Sequence, residues 1–232
     1  MMLLLFDIDG TLLGRAGEAH RDALYAALLK VHGIETPQAR GPLFPAGRTD
    51  GEIARTLLLQ AGVSARQIDE RARDVQLECS QAYARLCPAD LSDKVLPGIA
   101  ELLEWLGDRD DVKLALVTGN YEAVGRLKLA RAGIGHYFAS GQGAFGSDSE
   151  DRAALPPLAR RRAGTPGSPY PRERTIVIGD TPRDIACAQA DGLRSFAVAS
   201  GPYKAEELTT ADAVAPAAGQ LRPLLEQALA VT

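Results

Sequence analysis

The chain reads as a doubly wound α/β domain: a mostly parallel sheet covered by helices on both faces, with a helical insert after the first strand. Three observations predict it. Short apolar runs recur at "LLLFDID", "VKLALVTGN", "RTIVIGD" and "RSFAVAS". Helical patterns lie between most of them, and alternating strand and helix builds a parallel sheet. From about Gly14 to about Asp93 the alternation lapses, and only amphipathic helical patterns are found.

Taken in order, "MMLLLF" opens the chain without a basic leader and is too short for a signal-peptide core, so it reads as the first strand. In the insert, helical patterns run from Glu18 to His32 stopped by Gly33, from Gly51 to Ala61 stopped by Gly62, and from Ala65 to Leu86. Pro37, Pro42 and Pro45 mark the loop between the first two, and "CPADLSDKVLPG" marks the return to the sheet. Trp105, flanked by Leu102, Leu103 and Leu106, reads as core. After "LALV" a helix runs from Tyr121 to Ala132, capped by Gly133, and after "IVIG" another runs from Pro182 to Asp191, ended by Gly192. "GHYFAS" and "DAVAP" are weaker strand candidates. "RRRAGTPGSPYPRER" is a basic Pro/Gly-rich connector, and Arg160, Arg161 and Arg162 within it read as a solvated helix end.

Composition narrows the function. With 232 residues, 46% hydrophobic and 24% charged, the chain can bury at least one good core. A net charge of -4 lacks the basic field of a phosphate-backbone binder, so no nucleic-acid partner is predicted. Cys79, Cys87 and Cys187 form no CxxC pair and read as free thiols in a reducing compartment, which makes the cytoplasm the expected location. No run approaches the ~18 apolar residues of a membrane span, so no membrane partner is predicted.

In an open α/β sheet, ligands bind beyond the carboxyl ends of the strands, near the point where strand order reverses. Three strands end in polar residues there: Asp7 and Asp9 after the first, Thr118, Gly119 and Asn120 after "LALV", and Asp180 with Asp184 after "IVIG". Two carboxylates ~4 Å apart repel by roughly 1 kcal/mol in water and ~4 kcal/mol at an effective dielectric of 20. A cluster of four therefore calls for a cation or a shared proton. Hard oxygen ligands with room for water and substrate phosphate favour Mg²⁺. Taken singly, Asp7 and Asp180 also fit plain turns or helix caps.

"DIDGT", "VTGN" and "GDTPRDI", in this order, resemble three of the signature motifs of the haloacid dehalogenase-like superfamily. The insert resembles that superfamily's α-helical cap, as in phosphoglycolate phosphatase-like members. The resemblance implies a Rossmann-like core over residues 1–14 and 94–232 with the cap over 15–93. It implies a Mg²⁺-dependent phosphatase acting on a small phosphorylated metabolite through an aspartyl-phosphate. Asp7 is then the nucleophile and Asp9 the general acid/base. The cation is held by Asp180, the Asp7 carboxylate and the Asp9 backbone carbonyl, with Asp184 as ligand or anchor for metal-bound water. Thr118, with the backbone N–H groups of Gly119 and Asn120, binds the phosphoryl oxygens. The two aspartates suit these roles because alternate strand residues face one side, while Gly10 permits the turn beyond them.

The family's basic residue ahead of the last acidic motif is the weakest match. Lys128 lies too early, inside the helix after Thr118, so Arg152 is the candidate, with Arg160 as fallback; guanidinium can grip phosphate with two parallel hydrogen bonds. In the insert, Arg48 is a candidate for reading the substrate beyond its phosphate, or else a solvated arginine. Asp50 is expected to N-cap the helix beginning at Gly51. His20, His32 and His136 show no ligand spacing and are expected on helix surfaces or in turns. "GQGAFG" matches GxGxxG, but the acidic residues that follow it argue for a loop near the site and against nucleotide binding.

The alternatives are a phosphomutase of the same superfamily or a non-enzymatic phospho-accepting module of receiver type. A dehalogenase fits less well, because those relatives lack an acid/base aspartate at the position of Asp9. A monomer or homodimer is expected.

Overall fold

The computed structural model describes residues 1–14, 16–35 and 45–230. Strand β1 (Met2–Phe6) leads into the insert, whose helices are α1 (Glu18–His32), α2 (Asp50–Gln60) and α3 (Ala65–Leu86). Pro37 and Pro42 of the expected loop lie outside the described residues. The chain returns through α4 (Ile99–Gly107), β2 (Val112–Thr118), α5 (Glu122–Arg131), β3 (Ala144–Phe145) and α6 (Leu155–Ala163). It closes with β4 (Thr175–Gly179), α7 (Pro182–Ala190), β5 (Arg194–Val198), β6 (Ala213–Ala215) and α8 (Leu221–Ala230). The six strands pair in parallel in the order β3-β2-β1-β4-β5-β6. This is a Rossmann-like doubly wound sheet, and its order reverses beside β1.

β1 shows why the sheet is buried on both sides. Met2, Leu4 and Phe6 pack against Ile99, Leu102 and Leu103 of α4 and Leu221 and Leu225 of α8. The alternate residues Leu3 and Leu5 meet Leu155 and Ala159 of α6 and Ala188 of α7 on the other face. A separate apolar cluster joins Leu24 and Leu28 of α1, Leu57 and Leu58 of α2 and Val75 and Tyr83 of α3, and it takes in Tyr121 and Val124 from the α5 segment. Helix α5 is therefore held between the two clusters, with Leu129 toward the sheet and Val124 toward the insert.

Several local expectations are corrected. "GHYFAS" holds a 3₁₀ turn at Gly135–Tyr137 and no strand: Arg126 donates to the carbonyls of Phe138 and Ala139 and ties that backbone to α5. The edge strand β3 lies instead inside the glycine-rich "GQGAFG", expected as loop, where Ala144–Phe145 pairs with Val117 and Thr118 of β2. Thr49, not Asp50, caps α2, accepting from the Glu52 N–H. Trp105 is only partly buried and lies under the guanidinium groups of Arg109 and Arg222. Arg160, expected in solvent, is buried against the Asp191 carboxylate at 3.0 Å, because α6 packs inward across α7. That pairing also removes it from the phosphate-binding role held for it in reserve.

Candidate active site

The carboxyl ends of β1, β2 and β4 meet at one edge. The Asp7 N–H donates to the Ile178 carbonyl at 2.9 Å, which extends the β1–β4 ladder to the first aspartate. Gly10 turns the chain immediately afterward at φ +83°, and a Cβ there would sit 2.1 Å from Asp180 Oδ2. Gly201, in the loop after β5, closes the other side: a Cβ would fall 1.7 Å from the same oxygen. These two glycines leave Asp180 a slot that only bare backbone can border.

Asp7, Asp180 and Asp184 are all buried, and each offers a carboxylate oxygen within 4.8 Å of the others. Asp184 lies in the first turn of α7, where Thr181 and Asp184 form a reciprocal cap: the Thr181 hydroxyl and N–H both donate to Asp184 Oδ2, at 2.7 and 3.0 Å. Arg152, buried in the 3₁₀ turn before α6, faces this group, with Nη2 3.2 Å from Asp7 Oδ2 and a close bond to Asp184 Oδ1. One guanidinium thus touches two of three crowded carboxylates, and Asp180 has no ion pair with it.

The imbalance shows in their proton affinities. Burial, followed by the charges of Asp184 and Asp7, pushes Asp180 up to about 9, against the opposing charge of Arg152. Burial also raises Asp7 to about 6, although Arg152 opposes it. Asp7 Oδ1 is buried without a hydrogen-bond partner. An unmet hard oxygen among crowded carboxylates, deprotonated only at a cost, is a donor set that fits a hard divalent cation.

Asp9 has a different environment. Its carboxylate opens to the cavity and is gripped by Lys128 Nζ at 2.8 and 2.7 Å and by Asn120 Nδ2 at 2.8 Å. Burial alone would raise it, but the charge of Lys128 and these hydrogen bonds hold it below the usual carboxylate range. Thr118, fully buried, accepts from the Asn120 N–H and amide at 3.3 and 2.9 Å, and so positions Asn120. The Gly119 carbonyl accepts from the Asp50 N–H at 2.8 Å, and the Asn120 carbonyl from the Gly146 N–H at 2.9 Å.

Above this edge lies a cavity of about 1370 Å³ between core and insert, lined by Asp7, Asp9, Lys128, Arg152 and Asp180 below and by His20 and Arg48 from the insert. Arg48, in the segment just before α2, is paired with Glu52 in the first turn of that helix.

Residues 1–192 match the family model of the haloacid dehalogenase-like hydrolases. The chain belongs to that family. It is 27% identical over 208 residues to phosphoglycolate phosphatase 1 of Pseudomonas aeruginosa, covering 86% of this chain and 70% of that protein. Its fold resembles a hydrolase from Pseudomonas syringae at TM-score 0.63 and 23% identity, over 98% of this chain and 99% of that one. It also resembles a β-phosphoglucomutase from Clostridium difficile at TM-score 0.64 and 18% identity, over 100% and 98%.

In this haloacid dehalogenase-like hydrolase, the sequence reading missed two site residues. Lys128, too early in its helix for the family's basic position, is fully buried with its ammonium on Asp9. His20, expected on a surface, points inward and bonds Asp50 Oδ2 at 3.0 Å and Lys128 Nζ at 3.1 Å. Val124, Leu127 and Leu129 flank Lys128 in the sequence, but Glu122, Arg126 and Arg131 share the helix, so no local pattern singles this lysine out as buried.

Proposed function

We propose that this hydrolase is a Mg²⁺-dependent phosphatase of small phosphorylated metabolites, working through an aspartyl-phosphate on Asp7. The observation that carries the reading is the unpartnered Asp7 Oδ1 beside Asp180, Asp184 and Arg152 at the switch-point edge. Asp7, Asp180 and Asp184, with the Asp9 carbonyl, would hold the ion. Bound there, Mg²⁺ supplies positive charge to the carboxylates and to the phosphoryl oxygens.

The chain's own groups divide the remaining work. The Asp7 carboxylate attacks phosphorus and splits one hard displacement into two easier ones. Arg152, already touching the nucleophile, steadies charge on the transferring group. Thr118 and the Gly119 and Asn120 backbone hold the phosphoryl oxygens. Asp9 passes a proton to the leaving alkoxide and later takes one from the hydrolytic water; the carboxylate form favoured by Lys128 suits that second step. Arg48, on the cavity wall, is assigned to the part of the substrate beyond the phosphate. The relatives named phosphoglycolate phosphatase favour a small acid as that part.

The test is phosphate release from a panel of phosphorylated metabolites and p-nitrophenyl phosphate, with Mg²⁺ and with EDTA. Release that needs Mg²⁺ and vanishes in Asp7→Asn supports the reading. Isomerisation of a sugar phosphate without release would make the protein a mutase, and no turnover of any ester would leave only a phospho-accepting role.

A further inference from the structure

The proposed chemistry uses Asp9 but leaves unexplained why a fully buried lysine is spent on it. Lys128 sits in the middle of α5, enclosed by sheet and insert. A buried ammonium is costly unless its charge is paired and its protons are placed. Its three N–H groups find three partners: the Asp9 carboxylate, Asn120 Oδ1 at 2.8 Å and His20 Nδ1 at 3.1 Å. Every proton is thereby assigned.

That assignment fixes the next link. If Nδ1 of His20 accepts from Lys128, the ring hydrogen lies on Nε2, which donates to Asp50 Oδ2 at 3.0 Å. The same Asp50 oxygen accepts from the Tyr121 N–H at 2.7 Å, at the start of α5. His20 and Asp50 come from α1 and α2 of the insert, whereas Lys128, Asn120 and Asp9 come from the core. The row Asp50–His20–Lys128–Asp9 therefore crosses the boundary between the two.

We propose that Lys128 is the positioning residue of Asp9, and that the insert completes the arrangement through His20 and Asp50. One proton of the ammonium, shared between the two Asp9 oxygens at 2.8 and 2.7 Å, with Asn120 Nδ2 as a second anchor at 2.8 Å, leaves the carboxylate a single orientation toward the cavity. His20 in turn prevents the ammonium from swinging away, so the insert reaches the proton-transfer residue without touching it. This rests on the phosphatase reading, since Asp9 needs an orientation only if it transfers protons.

Leaving-group dependence gives the test. An alkoxide needs a proton as it departs; p-nitrophenolate does not. Positioned general-acid catalysis contributes roughly 10²–10⁴-fold. In Lys128→Met, kcat/KM for the best alkyl phosphate in the panel should therefore fall about 100-fold or more, and for p-nitrophenyl phosphate by less than about 10-fold. His20→Ala should shift the same ratio in the same direction by a smaller factor, and Lys128→Arg should recover part of it. Circular dichroism and melting establish that each variant is folded. Equal losses on both esters, or none, in folded Lys128→Met would overturn the role. If Lys128→Met does not fold, the His20→Ala ratio decides alone, and an unchanged ratio overturns the proposal. Wild-type protein that hydrolyses neither ester sinks the phosphatase reading and this role with it.

Discussion

Cation binding at the carboxylate cluster should be driven by pH, with a slope that the structure sets. Without the ion, Asp180 holds its proton up to about 9 and Asp7 up to about 6, because burial and neighbouring carboxylates penalise their charged forms. Mg²⁺ takes carboxylates as anions, so at neutral pH its arrival must expel the Asp180 proton. Between about pH 6.5 and 8.5 the apparent Kd should thus fall about tenfold per pH unit, or ~1.4 kcal/mol. Below about pH 6 Asp7 also carries a proton, and the slope should steepen toward two decades per unit.

Titration calorimetry in two buffers of different ionisation enthalpy counts the protons directly, with about one released near pH 7.5. The sign for stability follows from the same raised values. A carboxyl with a folded-state pKa above its unfolded one stabilises at low pH, and that contribution is lost as pH rises through the folded pKa. In EDTA the melting temperature should therefore decline from about pH 4 toward pH 9 at this site, and saturating Mg²⁺ should remove the decline. A Kd that stays flat from pH 6.5 to 8.5 with no proton release would refute the account of the cluster.

Asp7→Asn should abolish phosphate release while the circular dichroism spectrum is kept, and residual turnover at wild-type rate would displace Asp7 as nucleophile. Arg152→Ala should lower kcat roughly 10²–10³-fold, read by steady-state kinetics at saturating Mg²⁺. Gly201→Ala, which places a methyl 1.7 Å from Asp180 Oδ2, should weaken Mg²⁺ binding in calorimetry far more than it changes secondary structure. Arg160→Ala leaves the buried Asp191 carboxylate with only the more exposed Arg172 as its ion-pair partner, and chemical denaturation should show a loss of about 1.5–3 kcal/mol with little change in KM.

Period and punctuation carried most of the architecture. Apolar runs ending in Asp7, Thr118 and Asp180, separated by glycine-stopped helices, specify a parallel sheet whose polar residues share one edge, because strand alternation and helix capping are local properties. Arg152 follows from the family resemblance, which calls for a cation ahead of the last acidic motif. Packing between distant segments left no such local trace. β3 is two residues long and exists only because β2 offers it an edge. Arg160 and Lys128 look like surface cations in their own helices, yet each is buried by a segment far along the chain. His20 and Asp50 become partners of Asp9 only when α1 and α2 fold over α5. A charged residue declares its type in the sequence, but whether it meets water or a counter-charge depends on which elements close over it, and that is a property of the assembled chain.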